Sequence, residues 1–342
     1  MFTTISCPDL FFNFICVVIY IEKEAMAQYF QRFYKKENNL RILVITGPTA
    51  SGKSELALRA AREFGGEIIS ADSMQVYRGL DKGTAKPSPE ERRIVPHHML
   101  DILDISESLD VYKYVESAEK CINEISARGN LPIIAGGSGF YIKALVYGLD
   151  PMPGNRALRK ELDERFDNDY GFEELKKIMM EKDAASYDRW KSHRRKLIRA
   201  FEVFSLTGRS ITGLQTLSAP VPRFLTTQFI LSWEREELKK RIAGRTETML
   251  SAGWIEETAG MISKGLFNSP TAHQALGYKE IAEYLNGKLT RLRLAEKIST
   301  ATWQYARRQI TWFKSKHPGA EILQMPYDYN DIKDKIRNSV AR

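Results

Sequence analysis

The sequence predicts an α/β protein with a P-loop NTPase-like core, a parallel sheet flanked by helices, plus an inserted all-helical domain. Three observations carry that prediction. Short β-branched apolar runs alternate with helical stretches up to residue 148; the first run leads into a glycine-rich phosphate loop; and residues 155–207 hold only charged helical segments. The chain has 342 residues, 43% hydrophobic and 27% charged. At about 150 residues per domain this is two domains or one large one, and the composition excludes disordered, collagenous and multi-span membrane proteins. The 51 Lys and Arg against 43 Asp and Glu leave a net charge of +8, which favours a polyanionic partner.

The elements follow in order. Residues 10–21 are an apolar run broken by Asn13, too short for a membrane span, which needs about 20 residues. Residues 1–9 carry no Lys or Arg, against a signal peptide, although Ala25-Met26-Ala27 imitates a cleavage site and Met26 is an alternative start. Residues 1–40 therefore read as an N-terminal extension. The three cysteines, Cys7, Cys16 and Cys121, offer neither a CxxC pair nor a disulfide framework, which suits a reducing compartment.

The first part of the core spans 41–153. Residues 41–46 form a buried strand, 55–64 a helix closed by Gly65-Gly66, 67–70 a second strand, 111–128 a helix, 131–135 a third strand and 140–147 another helix. The pattern changes after Pro151-Met-Pro-Gly154, so 154–226 is the helical insertion. Strand character returns at 224–233, and the second part of the core, 227–342, ends in a basic helical region.

Between the first strand and helix stands Gly47-Pro48-Thr49-Ala50-Ser51-Gly52-Lys53-Ser54, which matches GxxxxGK[ST]. Its glycines let backbone N–H groups turn around phosphate oxygens, Lys53 neutralises charge and Ser54 can hold magnesium. A hydrolysing P-loop enzyme places an Asp-terminated strand on that metal. Here 131–135 ends in Gly136-Gly-Ser-Gly139, so ATP hydrolysis is disfavoured. The nearest carboxylate by topology is Asp72, following the neighbouring strand: a base or metal contact, or simply an Asx cap on the next turn.

Further motifs occur in a fixed order: Ser70-Ala-Asp-Ser-Met-Gln-Val-Tyr-Arg-Gly-Leu-Asp81, Gly83-Thr-Ala-Lys-Pro87, Pro96-His-His-Met99, Gly136-Gly-Ser-Gly-Phe-Tyr141, Arg199-Ala-Phe-Glu-Val203, Gly277-Tyr-Lys-Glu280 and Gln309-Ile-Thr-Trp312. With the phosphate loop they make residues 41–313 resemble the tRNA dimethylallyltransferases. The resemblance implies transfer of a dimethylallyl group from dimethylallyl diphosphate to the exocyclic amine of the adenosine 3′ to a tRNA anticodon, in tRNAs reading codons that begin with U. It also implies a cytoplasmic monomer of the bacterial form. The phosphate loop would cradle a leaving diphosphate rather than ATP. By the family pattern Asp72 would accept or orient the amine proton, and Lys53, Ser54 and magnesium would stabilise pyrophosphate. Ser138, where the family usually has Thr, would touch the bridging oxygen, and Arg159 would lie against the pyrophosphate.

The same resemblance assigns tRNA contact to Asp72, Ser73, Met74, Gln75, Ser138 and Arg159, to Arg195, Lys196, Leu197, Ile198 and Arg199, and to Gln274, Gly277, Tyr278 and Lys279. Gln75 is suited to reading a base edge, and the segment 191–199 carries five basic residues and no acid, an RNA contact or a solvated helix face. In 288–316 eight basic residues face only Glu296, with Trp303, Tyr305 and Trp312 between them, either stacking platforms or core. Trp303 stands where the family commonly has Arg. His97 and His98 lack a third ligand at metal spacing. The rival functions are a prenyltransferase for free adenine nucleotides, a small-molecule kinase, a nucleotide-switched RNA-binding protein and a silent family copy.

Overall fold

The computed structural model describes residues 38–149, 152–214 and 221–340. Most of the expected N-terminal extension, with the 10–21 run, Cys7, Cys16 and Met26, lies outside the described residues. The chain divides into two compact units, an α/β unit within 37–148 and 220–342 and a helical unit within 149–219.

The α/β unit runs β1 (Asn38–Thr46), α1 (Lys53–Phe64), β2 (Gly66–Ser70), α2 (Pro89–Ile94), β3 (His97–His98), α3 (Val111–Ala127), β4 (Leu131–Gly136) and α4 (Gly139–Tyr147). The sheet order is β3-β2-β4-β1-β5-β6, every pair parallel, where β5 and β6 come from the second part of the core. Because both faces are covered, the strands are continuous apolar runs; Ile42, Leu43, Val44 and Ile45 are all buried. Helix α1 packs Leu56, Ala57, Ala60 and Ala61 on that sheet, and three alanines on the inner face let it approach closely.

The helical unit holds α5 (Arg156–Phe166), α6 (Asp169–Lys182), α7 (Ala184–Trp190), α8 (Arg194–Thr207) and α9 (Ile211–Leu214). Asn155, Asn168 and Asp183 each cap a helix by accepting from a backbone N–H three residues on. Its own core joins Leu162, Phe166, Leu175, Met179, Leu197, Ile198 and Val203.

The chain returns through β5 (Phe224–Ser232) and α10 (Arg235–Met249), a π turn at Leu250–Trp254, α11 (Ile255–Ser263), α12 (Tyr278–Leu285), the 26-residue α13 (Arg291–Lys316), β6 (Glu321–Gln324) and α14 (Tyr329–Val340). β5 begins at Phe224, ahead of the expected boundary at 227, because its first residues already pair with β1, with Leu225 opposite Arg41. Two strands escape the sequence reading. β3 is two residues long, and β6 is a four-residue edge strand with only Leu323 buried, so neither carries a readable period. Ile332 and Ile336 of α14 and Tyr329 pack into the α1 core, and the Tyr329 hydroxyl donates to Glu63. Among the described residues no helix is long and apolar enough to cross a membrane.

Candidate active site

Three neighbouring strand ends set the site. Thr46 lies opposite Gly136 and Ser70 opposite Ala135, so the residues following β1, β4 and β2 emerge at one edge of the sheet. They are the phosphate loop, the Gly137-Ser138 turn and Asp72. A cavity of ≈ 340 Å³ opens there, lined among others by Thr49, Asp72, Ser73, Met74, Arg245, Gln274, Tyr305 and Arg308. A second, of ≈ 530 Å³, shares Ala50 and Arg245 with it and runs over Gly52, Lys53, Ser54 and Arg241.

The phosphate loop is held from outside by side chains of the second half of the chain. The Trp233 indole donates to the Ser51 carbonyl (3.0 Å), Arg241 Nε to the Ala50 carbonyl (2.9 Å), and Arg245 to the Thr49 hydroxyl (3.2 Å). The Thr49 N–H donates to Gln309 Oε1 (2.9 Å) and so is not offered to an anion. The N–H groups of the first turn of α1, from Lys53 on, have no intrahelical acceptor and remain for that role. Lys53 Nζ donates to the Pro48 carbonyl at 2.6 Å. Burial of the ammonium, reinforced by the positive Arg245, pushes Lys53 down to about 7 against the pull of Asp72. Burial also lowers Arg245. Lys53, Arg241, Arg245 and Arg308 thus line the two cavities, against the carboxylates of Asp72, Glu55 and Glu91.

Asp72 does two things. Its Oδ1 accepts from the N–H of Met74 (2.8 Å) and of Gln75 (3.4 Å), the cap geometry weighed in the sequence. The residue nonetheless lines the cavity, within electrostatic reach of Lys53, Arg245 and Tyr305. The Ser138 hydroxyl accepts from the Ser73 N–H (3.1 Å), which ties the two strand-end loops together.

Several residues expected to face RNA face inward. The Gln75 amide is occupied: Oε1 accepts from Ser70 (2.8 Å) and Nε2 donates to the carbonyls of Thr84 (3.1 Å) and Ala85 (3.4 Å), so it braces a loop instead of presenting an edge. Leu197 and Ile198 are fully buried in the helical unit, as two apolar residues on the inner face of α8 must be, whereas Arg195 and Lys196 on the same turn are exposed. Tyr278 is fully buried and donates to Glu257 Oε1 (2.6 Å), while Gly277 lies against the Trp254 indole. Lys279 and Gln274 remain exposed.

Arg159 and Arg199 share the buried carboxylate of Glu202; Arg199 donates to it at 2.6 Å, and the Asn155 N–H adds a third contact at 3.0 Å. Both arginines belong to the helical unit. His98 Nε2 donates to the Glu67 carboxylate (2.7 Å), His97 Nδ1 donates to the Val95 carbonyl (2.8 Å), and Asp101 accepts from Lys86 (2.5 Å) and Arg92 (2.7 Å), all structural contacts. Trp303 packs beside Leu238 and Ile242 with Arg235 and Lys239 over its ring.

Trp233, Arg241, Arg245, Glu257 and the side chain of Gln309 were not singled out from the sequence as site residues. Arg241 and Arg245 are four apart on α10, a spacing that puts both on one face, but among so many neighbouring charges the pair reads as solvated. Glu257 accepts from the backbone N–H of Asp81 (3.0 Å), Lys82 (2.7 Å) and Gly83 (3.2 Å), fixing the loop that lines the cavity with Gly83 and Thr84.

Fold and site together define a P-loop, NTPase-like α/β protein whose anion site lacks a hydrolytic carboxylate on β4. A family model described as IPP transferase matches residues 75–316. The chain is 40% identical over 281 residues to a tRNA dimethylallyltransferase of Kocuria rhizophila, covering 82% of this chain and 88% of that protein. It is 42% identical over 289 residues to one of Deinococcus radiodurans, covering 82% and 92%. A tRNA isopentenylpyrophosphate transferase from Bacillus halodurans superposes with a TM-score of 0.64 at 34% identity over 88% of this chain and 96% of that one. A eukaryotic dimethylallyltransferase acting on tRNA gives 0.73 at 26% identity over 86% and 77%. The chain belongs to the IPP transferase family.

Proposed function

We propose that the chain transfers a dimethylallyl group from dimethylallyl diphosphate to the exocyclic amine of the adenosine 3′ to the anticodon, in tRNAs reading codons that begin with U. The observation that carries this reading is the meeting of Thr49 and Ala50 of the phosphate loop with Asp72 in one cavity walled by Arg245 and Arg308, with the Ser138 hydroxyl bonded to the lining residue Ser73 and glycine where a hydrolase has its aspartate. Such a site suits a diphosphate, and β4 ends in glycine without the aspartate that holds the metal in a hydrolysing P-loop enzyme.

The barrier is one of positioning and of charge growing on the departing pyrophosphate. The first-turn amides of α1, Lys53 and Arg245 take up that charge. Asp72, held by its Oδ1 bonds, orients the amine and receives its proton through the other carboxylate oxygen. Ser138, already fixed by the Ser73 N–H, is the hydroxyl donor to the bridging oxygen. The target base is extruded most cheaply from an anticodon loop, where it has no pairing partner. Arg195, Lys196, Lys279 and the unpaired cations of α13 supply the phosphate contacts.

Magnesium is part of the proposal. Ser54 is exposed at the start of α1, and no cluster of three His, Cys, Asp or Glu able to hold a metal occurs among the described residues. Ser54 would be the residue of the phosphate loop that holds the ion, its hydroxyl being an oxygen donor of the kind magnesium takes. When bound it would neutralise charge on the diphosphate. We further place the reaction in the cytoplasm, carried out by a monomer.

The test is transfer of labelled dimethylallyl diphosphate, with magnesium, to unmodified tRNA, beside AMP and ATP. Label in tRNA alone is expected. Label in AMP or ATP would make the chain an adenine-nucleotide prenyltransferase, and phosphate transfer from ATP would make it a kinase.

A further inference from the structure

Two glycine-rich loops of the α/β unit are joined through one side chain. Gln309 is 6% exposed, on the inner face of α13. Its Oε1 accepts from the Thr49 N–H of the phosphate loop at 2.9 Å, and its Nε2 donates to the Gly137 carbonyl at 2.8 Å. Both ends of the amide are thereby spent on backbone groups belonging to different loops. The next residue, Ser138, binds the Ser73 N–H, and Asp72 stands one residue before Ser73. A path of three hydrogen bonds joined by adjacent residues thus runs from the phosphate loop through Gln309 to the Ser138 hydroxyl and Asp72.

The glycines record the same contact. A Cβ on Gly137 would stand 2.3 Å from Gln309 Nε2, and one on Gly139 2.3 Å from the Trp312 ring. Within Gly136-Gly-Ser-Gly139, Gly137 and Gly139 therefore admit Gln309 and Trp312 of α13, and Gly136 admits the Ala71 backbone. Two motifs far apart in sequence are two halves of one joint.

We infer that Gln309 is a positioning residue that sets the register between the diphosphate-gripping loop and the Ser138–Asp72 pair. The inference rests on the transfer reaction proposed above. A displacement of about 1 Å between groups acting on the two ends of one reacting bond costs on the order of 10²-fold in rate. The first-turn amides of α1 and Lys53, which hold the phosphates, lie on one side of the joint and survive its loss, whereas the Ser138 contact to the bridging oxygen is displaced.

Two variants test it. Gln309→Met removes both bonds at similar volume. It is expected to lower kcat for transfer to tRNA by about 10²-fold, with affinity for inorganic pyrophosphate kept within about threefold. Gln309→Glu keeps the acceptor for Thr49 but sets a carboxylate against the Gly137 carbonyl. Protonation restores an O–H donor there, so its activity relative to the native chain is expected to climb as pH falls, a recovery the Met variant lacks. Hydrogen exchange of peptides 47–52 and 134–140 is read in parallel, and both loops should lose protection together in the Met variant. Unchanged kcat in Gln309→Met, a proportional loss of pyrophosphate affinity, or unchanged exchange in both loops would each overturn the inference. If the native chain transfers nothing, the functional reading fails separately and the exchange measurement still decides whether Gln309 couples the loops.

Discussion

At the scale of single residues, Lys53 and Asp72 make the sharpest predictions. Lys53 releases its proton near 7 in the free site, well below its ordinary value of 10.5. A bound diphosphate favours the charged form, so above pH 7 binding must take up a proton. Pyrophosphate affinity is therefore expected to fall by up to about tenfold per pH unit between pH 7 and 9. Calorimetry in buffers of different ionisation enthalpy checks the uptake, and Lys53→Met should abolish it. Asp72 separates its two roles by substitution. Asp72→Asn retains the cap at Oδ1 and should lower transfer by about 10²- to 10⁴-fold with tRNA binding and folding intact. Asp72→Ala loses the cap as well, at about 1 kcal/mol of stability in a denaturant titration. Equal loss of tRNA binding in both would make Asp72 structural. The phosphate loop and Asp72 were legible because their chemistry needs those residue types at that spacing. Gln75 was not, because an amide that reads a base and an amide that braces a loop are the same side chain until Ser70 and Thr84 are placed beside it.

At the scale of elements, α8 shows how one helix divides labour by face. Leu197 and Ile198 are core and Arg195 and Lys196 are surface, on consecutive positions. Leu197→Ala is expected to cost about 2–5 kcal/mol by chemical denaturation. Arg195→Glu with Lys196→Glu should leave folding unchanged and weaken tRNA binding in a salt-dependent way, since each phosphate contact adds about 0.7–0.9 to the slope of log K against log salt. An unchanged slope would remove the helical unit from the RNA interface. The loop at 81–83 depends on Glu257 in the same one-sided manner. Glu257→Gln replaces a charged acceptor of three backbone N–H groups and should cost about 1.5–3 kcal/mol, read as a lowered denaturation midpoint. Helices and central strands were legible from their periods. β3 and β6 were not, being too short to show one, and the role of α10 was hidden because its working arginines sit among charges that face water.

At the scale of the whole molecule, the chain leaves the sheet after α4 and rejoins it at β5, and the two crossings are tied to each other by the Arg223 N–H donating to the Val146 carbonyl at 2.7 Å. The segment between them packs on its own core. That division was legible in the loss of strand character after residue 154, but its edges were not, because the boundary residues belong to loops whose composition suits either unit. The arrangement has a consequence for synthesis. Leu43 of β1 pairs with Ile133 on one edge but with Thr227 on the other. At about 5–20 residues per second, the second edge of β1 waits on the order of ten seconds or more on the ribosome for β5 to be made. During that time an unpaired strand edge is exposed, while the local helical contacts of 156–207 form early and shorten the loop to be closed. Pulse-labelled hydrogen exchange during refolding is expected to protect amides of 156–207 before those of 224–232. The inserted unit would then act, before any RNA arrives, as the clasp that brings the late strand back to the early one.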